Sequence, residues 1–237
     1  REPLLRLLAD DPRDRRDLRD ELAVSRSTIY KSLQKLRDAD LIAERDGRYE
    51  LTGFGRLAWQ RRDDYIARLN RLSAGQRLIE TLPDDRQFPL SIFERGRIIV
   101  PGRHAPERPL DQLSAIGEHA DRLRVLSPSG MPRFLAALHS NVKDGEQTAS
   151  IVAEPDAIER LRAGYDDFAV AARADGIDIR RIEEKLPYAV VLFDSAKLGL
   201  FGYEEGLLVG AAFSADPDAI AWGEQTVDRA IERSEKI

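Results

Sequence analysis

The chain of 237 residues contains no cysteine, which excludes disulfides and thiolate metal sites. No apolar run approaches the roughly 20 residues that a membrane helix needs, so a cytoplasmic protein without a membrane partner is expected. Its three histidines, His104, His119 and His139, include no pair at His-x-x-x-His spacing. With no thiolates to complete a ligand set, no metal is expected. There is no Gly-x-Ser-x-Gly elbow, no phosphate-cradling glycine loop and no dinucleotide fingerprint, so no cofactor is expected and a catalytic role has no motif to rest on. Lysine is scarce, supplying 6 of the 37 basic residues, so positive charge here is almost entirely arginine.

What is present supports a folded chain. Hydrophobic residues make up 42% and charged residues 33%, enough for a sizeable core and against disorder. The length suits one large domain or two smaller ones. The net charge of −5 is uneven: residues 1–62 hold 15 basic against 12 acidic residues, and the remainder 22 against 30. A mildly basic end on an acidic body suits a DNA-binding module joined to a larger partner domain.

Residues 24–37 carry the strongest local pattern. Ile29, Leu33 and Leu36 recur at i, i+4, i+7, one apolar stripe of a helix. Ser25 is suited to cap its first turn. The remaining positions include Ser25, Arg26, Ser27, Thr28, Tyr30, Lys31, Gln34 and Lys35, and arginine, lysine, serine and glutamine are types that bond base edges and phosphates. A solvated amphipathic face gives the same pattern, so the neighbours decide. Pro3–Ala9 and Arg15–Ala23 read as two preceding helices. Leu41–Ala43 and Arg48–Leu51 read as strands joined by Asp46-Gly47, a two-residue hairpin turn with Arg45 and Arg48 at its tip. Helix, helix, turn, helix, hairpin is the order of a winged helix-turn-helix, whose partner would be double-stranded DNA.

From Phe54 to about Leu82 one or two long helices are expected. Tyr65, Leu69, Leu72 and Ile79 form a heptad-like stripe, open to pairing with a second copy in a homodimer or to packing on the same chain. Pro83-Asp84-Asp85 marks a boundary. Beyond it, strands are expected at 88–93, 98–100, 123–126, 149–153 and 177–182, with helices over 110–120, 132–140 and 155–175. Strands at 188–193, 199–203 and 207–213 form a meander, and a helix over 217–234 closes the chain. The expected fold class is α+β: a winged helix-turn-helix over 1–55, a helical linker or dimerisation segment over 56–84, and a mixed α/β effector domain over 85–237.

Leu22-Ala23-Val24-Ser25, Leu33, Leu36, Leu41-Ile42 and Leu51-Thr52-x-x-Gly55 resemble, in order, the marks of the winged-helix domain of many prokaryotic transcription regulators. Leu123–Pro128, Gly176–Ile182, Leu186-Pro187-Tyr188 and Ala215-Asp216-Pro217 are similar to the effector domain of archaeal winged-helix regulators. That domain is the middle domain of the filament and methanogenesis regulators, with a more distant likeness to the TrmB and TbsP-type regulators of sugar metabolism. Abundant Asp and Arg with little Lys looks like proteins of salt-loving archaea. The resemblance implies a sequence-specific DNA-binding transcription regulator controlled by a small metabolite, of which an anionic sugar phosphate is one class that fits. It also implies kinship with the phospholipase D fold, whose enzymes need His-x-Lys and a downstream Asp. His139-Ser140-Asn141-Val142-Lys143-Asp144 has those residue types at the wrong spacing.

The effector candidates are read from chemistry. Ser127, Ser129 and Gly130 stand between a buried strand and a helix N-terminus, where N–H groups and dipole favour an anion, with Arg133 in reach. Lys185 and Tyr188 stand at a strand entrance, and Arg103-His104 in a proline-containing loop. Each has a plainer reading, as a capped turn, a surface lysine and a solvated loop. Two other functions stay open: a hydrolase-like enzyme with an accessory winged helix, and a winged-helix protein-interaction module.

Overall fold

The computed structural model describes residues 1–84 and 87–237 and divides into two compact units, Arg1–Leu69 and Asn70–Ile237. Asp85 of the expected boundary lies outside the described residues. In the first unit, α1 (Glu2–Asp10), α2 (Arg15–Leu22) and α3 (Arg26–Asp38) are followed by the hairpin β1 (Ile42–Arg45) and β2 (Arg48–Leu51). Leu4, Leu8, Leu18, Ile29, Leu33 and Leu36 bury one helix face each against Ile42, Tyr49 and Leu51. Asp14 caps α2 by accepting the amides of Arg16 and Asp17 at 2.7 and 2.9 Å. Those amides, led by that of Asp17, hold the Asp14 carboxyl below the usual aspartate range.

Two left-handed residues set the path on either side of α3. Ala23 (φ 49°) ends α2, and Asp40 (φ 56°) turns the chain out of α3 while the Leu41 amide donates to Leu36. The hairpin tip is Asp46-Gly47 with φ of 51° and 76°, the left-handed pair that a two-residue turn requires. α4 (Gly53–Ala74) leaves the hairpin with Thr52 Oγ1 accepting the Gly55 amide at 2.8 Å. Gly55 is needed there, because a Cβ would sit 1.9 Å from the Leu41 carbonyl oxygen.

In the second unit α4 ends at Ala74, and α5 (Gln76–Glu80) and α6 (Ser91–Glu94) follow. The strands are β3 (Arg97–Ile99), β4 (Arg122–Ser127), β5 (Thr148–Ala153), β6 (Ile177–Arg181), β7 (Tyr188–Phe193), β8 (Lys197–Glu204), β9 (Leu207–Ser214) and β10 (Glu235–Lys236). The interspersed helices are α7 (Arg108–Gly117), α8 (Pro132–Lys143), α9 (Pro155–Gly164), α10 (Phe168–Ala171) and α11 (Pro217–Glu232). Among the described residues the strands make one sheet in the order β10-β6-β5-β4-β7-β8-β9-β3. β4, β5 and β6 run parallel, and all other pairings are antiparallel. One face packs on α7–α10 through Leu113, Leu135, Leu138, Ile158 and Phe168. The other packs on α5, α6 and α11 through Leu78, Ile92, Val227 and Ala230. With both faces covered, all six residues of β7 are buried.

The α+β class is as the sequence leads one to expect, and three details differ. Residues 88–93 are no strand: Ile92 and Phe93 are buried on the helix α6, and Phe88 packs on Tyr188 and Trp222 with ring centroids 5.4 and 5.2 Å apart. A short apolar run has no period by which to tell strand from helix. The helix expected over 155–175 is two, because Tyr165 is extended (φ −139°, ψ 105°) between α9 and α10. The heptad-like stripe divides: Leu72 and Ile79 pack on the core beside α11, while Tyr65 and Leu69 are exposed. No helix among the described residues is long and apolar enough to cross a membrane.

Gly130 lies so close to α9 that a Cβ would stand 2.2 Å from the Ala157 carbonyl oxygen. Gly130→Ala is expected to cost about 1–3 kcal/mol of stability by overpacking, measured by denaturant unfolding. Wild-type stability in that variant would contradict the packing described. For Asp14 the folded pKa lies below the unfolded one, so its contribution is complete above the ordinary value of roughly 4 and is lost as pH falls through the folded value. Melting curves of wild type and Asp14→Ala are therefore expected to differ at neutral pH and to converge in acid.

Candidate nucleic-acid interface and ligand cleft

Ser25 caps α3, its hydroxyl accepting the Thr28 amide at 3.2 Å and lying within 2.9 Å of the Ser27 and Thr28 hydroxyls. With Ile29, Leu33 and Leu36 buried, the opposite face is set by geometry. Arg26, Ser27, Thr28, Tyr30, Lys31 and Lys35 are exposed on it, and Gln34 is half-buried. Tyr30 is 58% exposed, a large ring held in water at no benefit to the fold. Gln34 is the most committed of these side chains, donating to Asp38 at 2.8 Å and accepting from Arg37 at 3.0 Å.

A groove beside this face is lined by Arg15, Arg16, Arg19, Arg26, Ser27 and Tyr30. The three α2 arginines are not among the residues that the sequence reading selects. Their signal was present as the run Arg13–Arg19, but acidic residues alternate with them and hide the one-sided charge. Arg15 also braces the hairpin: its Nε donates at 2.6 Å to the Tyr49 hydroxyl, which donates at 2.8 Å to Glu44. Burial, and then the bond to Glu44, push the Tyr49 phenol up from its ordinary pKa. The backbones of Arg13 and Tyr49 exchange hydrogen bonds of 3.0 and 2.7 Å, adding a third chain beside β2. At the exposed hairpin tip, Arg45 and Arg48 face each other across the register, and Arg45 pairs with Glu50 at 2.9 Å. Like charges opposed on a hairpin repel, which an approaching polyanion would relieve.

The effector candidates fall in three places. Arg103 and His104 are exposed in the turn between β3 and α7. Ser127, Ser129, Gly130 and Arg133 occupy the turn from β4 to α8. There the Ser127 hydroxyl is spent locally, donating to the Ser129 carbonyl at 2.8 Å and accepting its amide at 3.1 Å. It also lies by the Tyr203 phenol, which burial pushes up to about 12. Gly130 is committed to the α9 contact described above, and Arg133 is exposed. Lys185 and Tyr188 lie elsewhere, together in a cleft with Leu126, Ile182, Arg229 and Arg233. Strand alternation separates the last two places: Leu126 packs on the α11 side of β4, so Ser127 points to the other side.

The cleft opens at the carboxyl ends of the parallel strands, and its wall is held by one carboxylate. Glu154, buried at the end of β5, accepts the Leu186 amide at 2.6 Å and the Lys185 ammonium at 2.9 Å. That bond holds the Lys185 pKa above the ordinary lysine value. Arg233 pairs with Glu184 at 3.1 Å. Among the described residues, Arg229 has neither an ion pair nor a hydrogen bond.

Residues 1–74 match the HVO_A0261 N-terminal domain family, and residues 106–233 match the family of the methanogenesis regulatory protein FilR1, middle domain. No curated protein matches the chain significantly. Similar solved structures include TrmBL2, described as an archaeal chromatin protein with a novel mode of DNA binding. It shares 13% identity over 100% of this chain and 92% of its own, with a TM-score of 0.48. NucT from Helicobacter pylori shares 11% over 60% and 98%, with a TM-score of 0.48. Nuc from Salmonella typhimurium, a phospholipase D family member, shares 14% over 60% and 98%, with a TM-score of 0.45. Because residues 106–233 are more than half of the sequence, the chain belongs to the family of the FilR1 middle domain.

Proposed function

We propose that this chain is a sequence-specific DNA-binding transcription regulator whose first unit reads DNA and whose second unit takes a small-molecule effector. The observation that carries the reading is one exposed surface. The solvent face of α3, the α2 arginines and the two arginines of the hairpin tip supply donors for phosphates and base edges around an unburied tyrosine. In this reading α3 enters the major groove, with Arg26 and Lys31 on base edges or phosphates, and the hairpin acts as the wing. Membership of a family named for a regulatory protein agrees with it.

The regulator would act as a homodimer. Phe54, Leu57, Tyr65 and Leu69 leave an exposed apolar stripe along α4, between 41% and 64% exposed, where a second copy can pack. α4 is also the covalent connection between the two units, so an effector that favours one arrangement of the dimer would alter DNA affinity by that preference and no more. The second unit's effector would be a small anionic metabolite, with a sugar phosphate among the candidates.

Arg26→Ala and Lys31→Ala are each expected to weaken binding to an operator selected from genomic DNA by about 1–3 kcal/mol, measured by fluorescence anisotropy. Both are exposed, so melting temperatures are expected to stay at the wild-type value. Wild-type affinity in both variants would remove α3 from the interface. For the dimer, sedimentation equilibrium of Leu57→Glu combined with Tyr65→Glu is expected to show monomers where wild type shows dimers. An unchanged mass would place the pairing surface elsewhere.

A further inference from the structure

We propose that the cleft between the β6–β7 connection and the last turns of α11 binds a phosphoryl group, and that Arg229 is its principal ligand. The proposal rests on the reading of the second unit as ligand-binding, and it moves the anion site away from the Ser127–Arg133 turn. That turn offers less: the Ser127 hydroxyl is bonded to the Ser129 backbone and Gly130 is filled against α9. The cleft offers three cations, Lys185, Arg229 and Arg233, and one carboxylate, Glu184, around one space.

Leu126, Ile182 and Tyr188 form part of its lining from the ends of β4 and β6 and the start of β7, where open α/β sheets leave a crevice for ligands. Arg229 and Arg233 line it from successive turns of α11, at i, i+4, so both guanidinium forks reach the same space. Lys185 lines it from the facing connection. Two of these cations already have carboxylate partners, Lys185 with Glu154 and Arg233 with Glu184. Lys185 also lies 3.9 Å from Asp156, so these pairings leave Arg229 as the one cation of the three with no ion pair or hydrogen bond among the described residues. A planar fork with no partner fits a tetrahedral oxyanion, which it can engage with two parallel hydrogen bonds.

Size and support agree with that chemistry. The cavity measures about 120 Å³. An apolar cavity of about 150 Å³ takes benzene, so this one suits a group of roughly five heavy atoms, the count of a phosphate, with the rest of a ligand outside. The wall is fixed in advance, because Glu154 holds both the amide and the ammonium of the connection and leaves little ordering for a ligand to impose. A helix carboxyl end would repel an anion, but here it is capped. Arg180 donates to the Ser234 hydroxyl and carbonyl, both at 2.9 Å, and to the Ile231 carbonyl at 3.4 Å.

The test is calorimetric titration of the full chain, without DNA, with inorganic phosphate, with a hexose 6-phosphate and with the parent hexose. Saturable binding of the two phosphates but not of the hexose is expected, with the dissociation constant raised roughly tenfold or more in Arg229→Ala. Arg229→Lys, which keeps the charge and loses the fork, is expected to fall between the two. Tighter binding of the hexose 6-phosphate than of inorganic phosphate would assign the group to a metabolite, and equal binding would assign it to the free ion. No saturable binding by wild type, or binding that Arg229→Ala leaves unchanged, would overturn the proposal. Because no DNA is present, failure here leaves the reading of α3 untouched, and failure of the DNA variants leaves this result standing.

Discussion

Tyr188 to Phe193 place every side chain out of water, alternately against α11 and against the α7–α10 layer. At about 1.5–3 kcal/mol for each fully buried large apolar side chain, this strand and its neighbours anchor the second unit. The same burial removes the sheet faces from chemistry, since a polar group there would need a buried partner. Variable chemistry is left to the strand ends. The two clusters of polar side chains described above, the β4–α8 turn and the β6–β7 cleft, both stand at the ends of the parallel strands. One spends the Ser127 hydroxyl and the Gly130 approach on the fold. The other includes an arginine with no hydrogen bond or ion pair among the described residues.

The first unit works under the opposite constraint. Its core is small, formed by nine buried residues from three helices and a hairpin. Polar bonds make up part of the difference: caps at Asp14 and Ser25, the Arg15–Tyr49–Glu44 chain, and the backbone bridge from Arg13 to Tyr49. These fix the angle at which α3 leaves its turn and the hairpin leaves α3. The exposed face of α3 carries less of this duty: Ser27 and Thr28 meet the Ser25 hydroxyl and Gln34 bonds Asp38 and Arg37. Its residues are thus free to vary with the partner while the scaffold beneath stays the same.

Legibility in the sequence followed the length and regularity of each pattern. The helices of the first unit, the Asp46-Gly47 turn and the three-strand meander have strong periods or strict turn chemistry, and they lie where the residues say. The short segment at 88–93 has neither and folds as a helix. Which candidate residues share an exposed face was legible where an element of clear period carried them, as along α3. The proposed role of Arg229, the one arginine within α11, was not, because nothing in the sequence marks it as unpaired. Its standing comes from Glu184 and Glu154 pairing with its neighbours, a fact of three dimensions. The hydroxyl of Ser127 misleads in the reverse direction: serine beside a helix start suggests a donor for ligands, and only coordinates show that Ser129 already uses it.

The hairpin tip holds Arg45 and Arg48 face to face, with one carboxylate, Glu50, bonded to the first of them. Mobile ions therefore act on this hairpin in two senses. In the free protein, added salt screens the arginines from each other and Arg45 from Glu50 alike. Against a polyanion, the same ions weaken its grip by competing for the phosphates. At high ionic strength both the hairpin's own charge pairs and its grip on a polyanion are weaker.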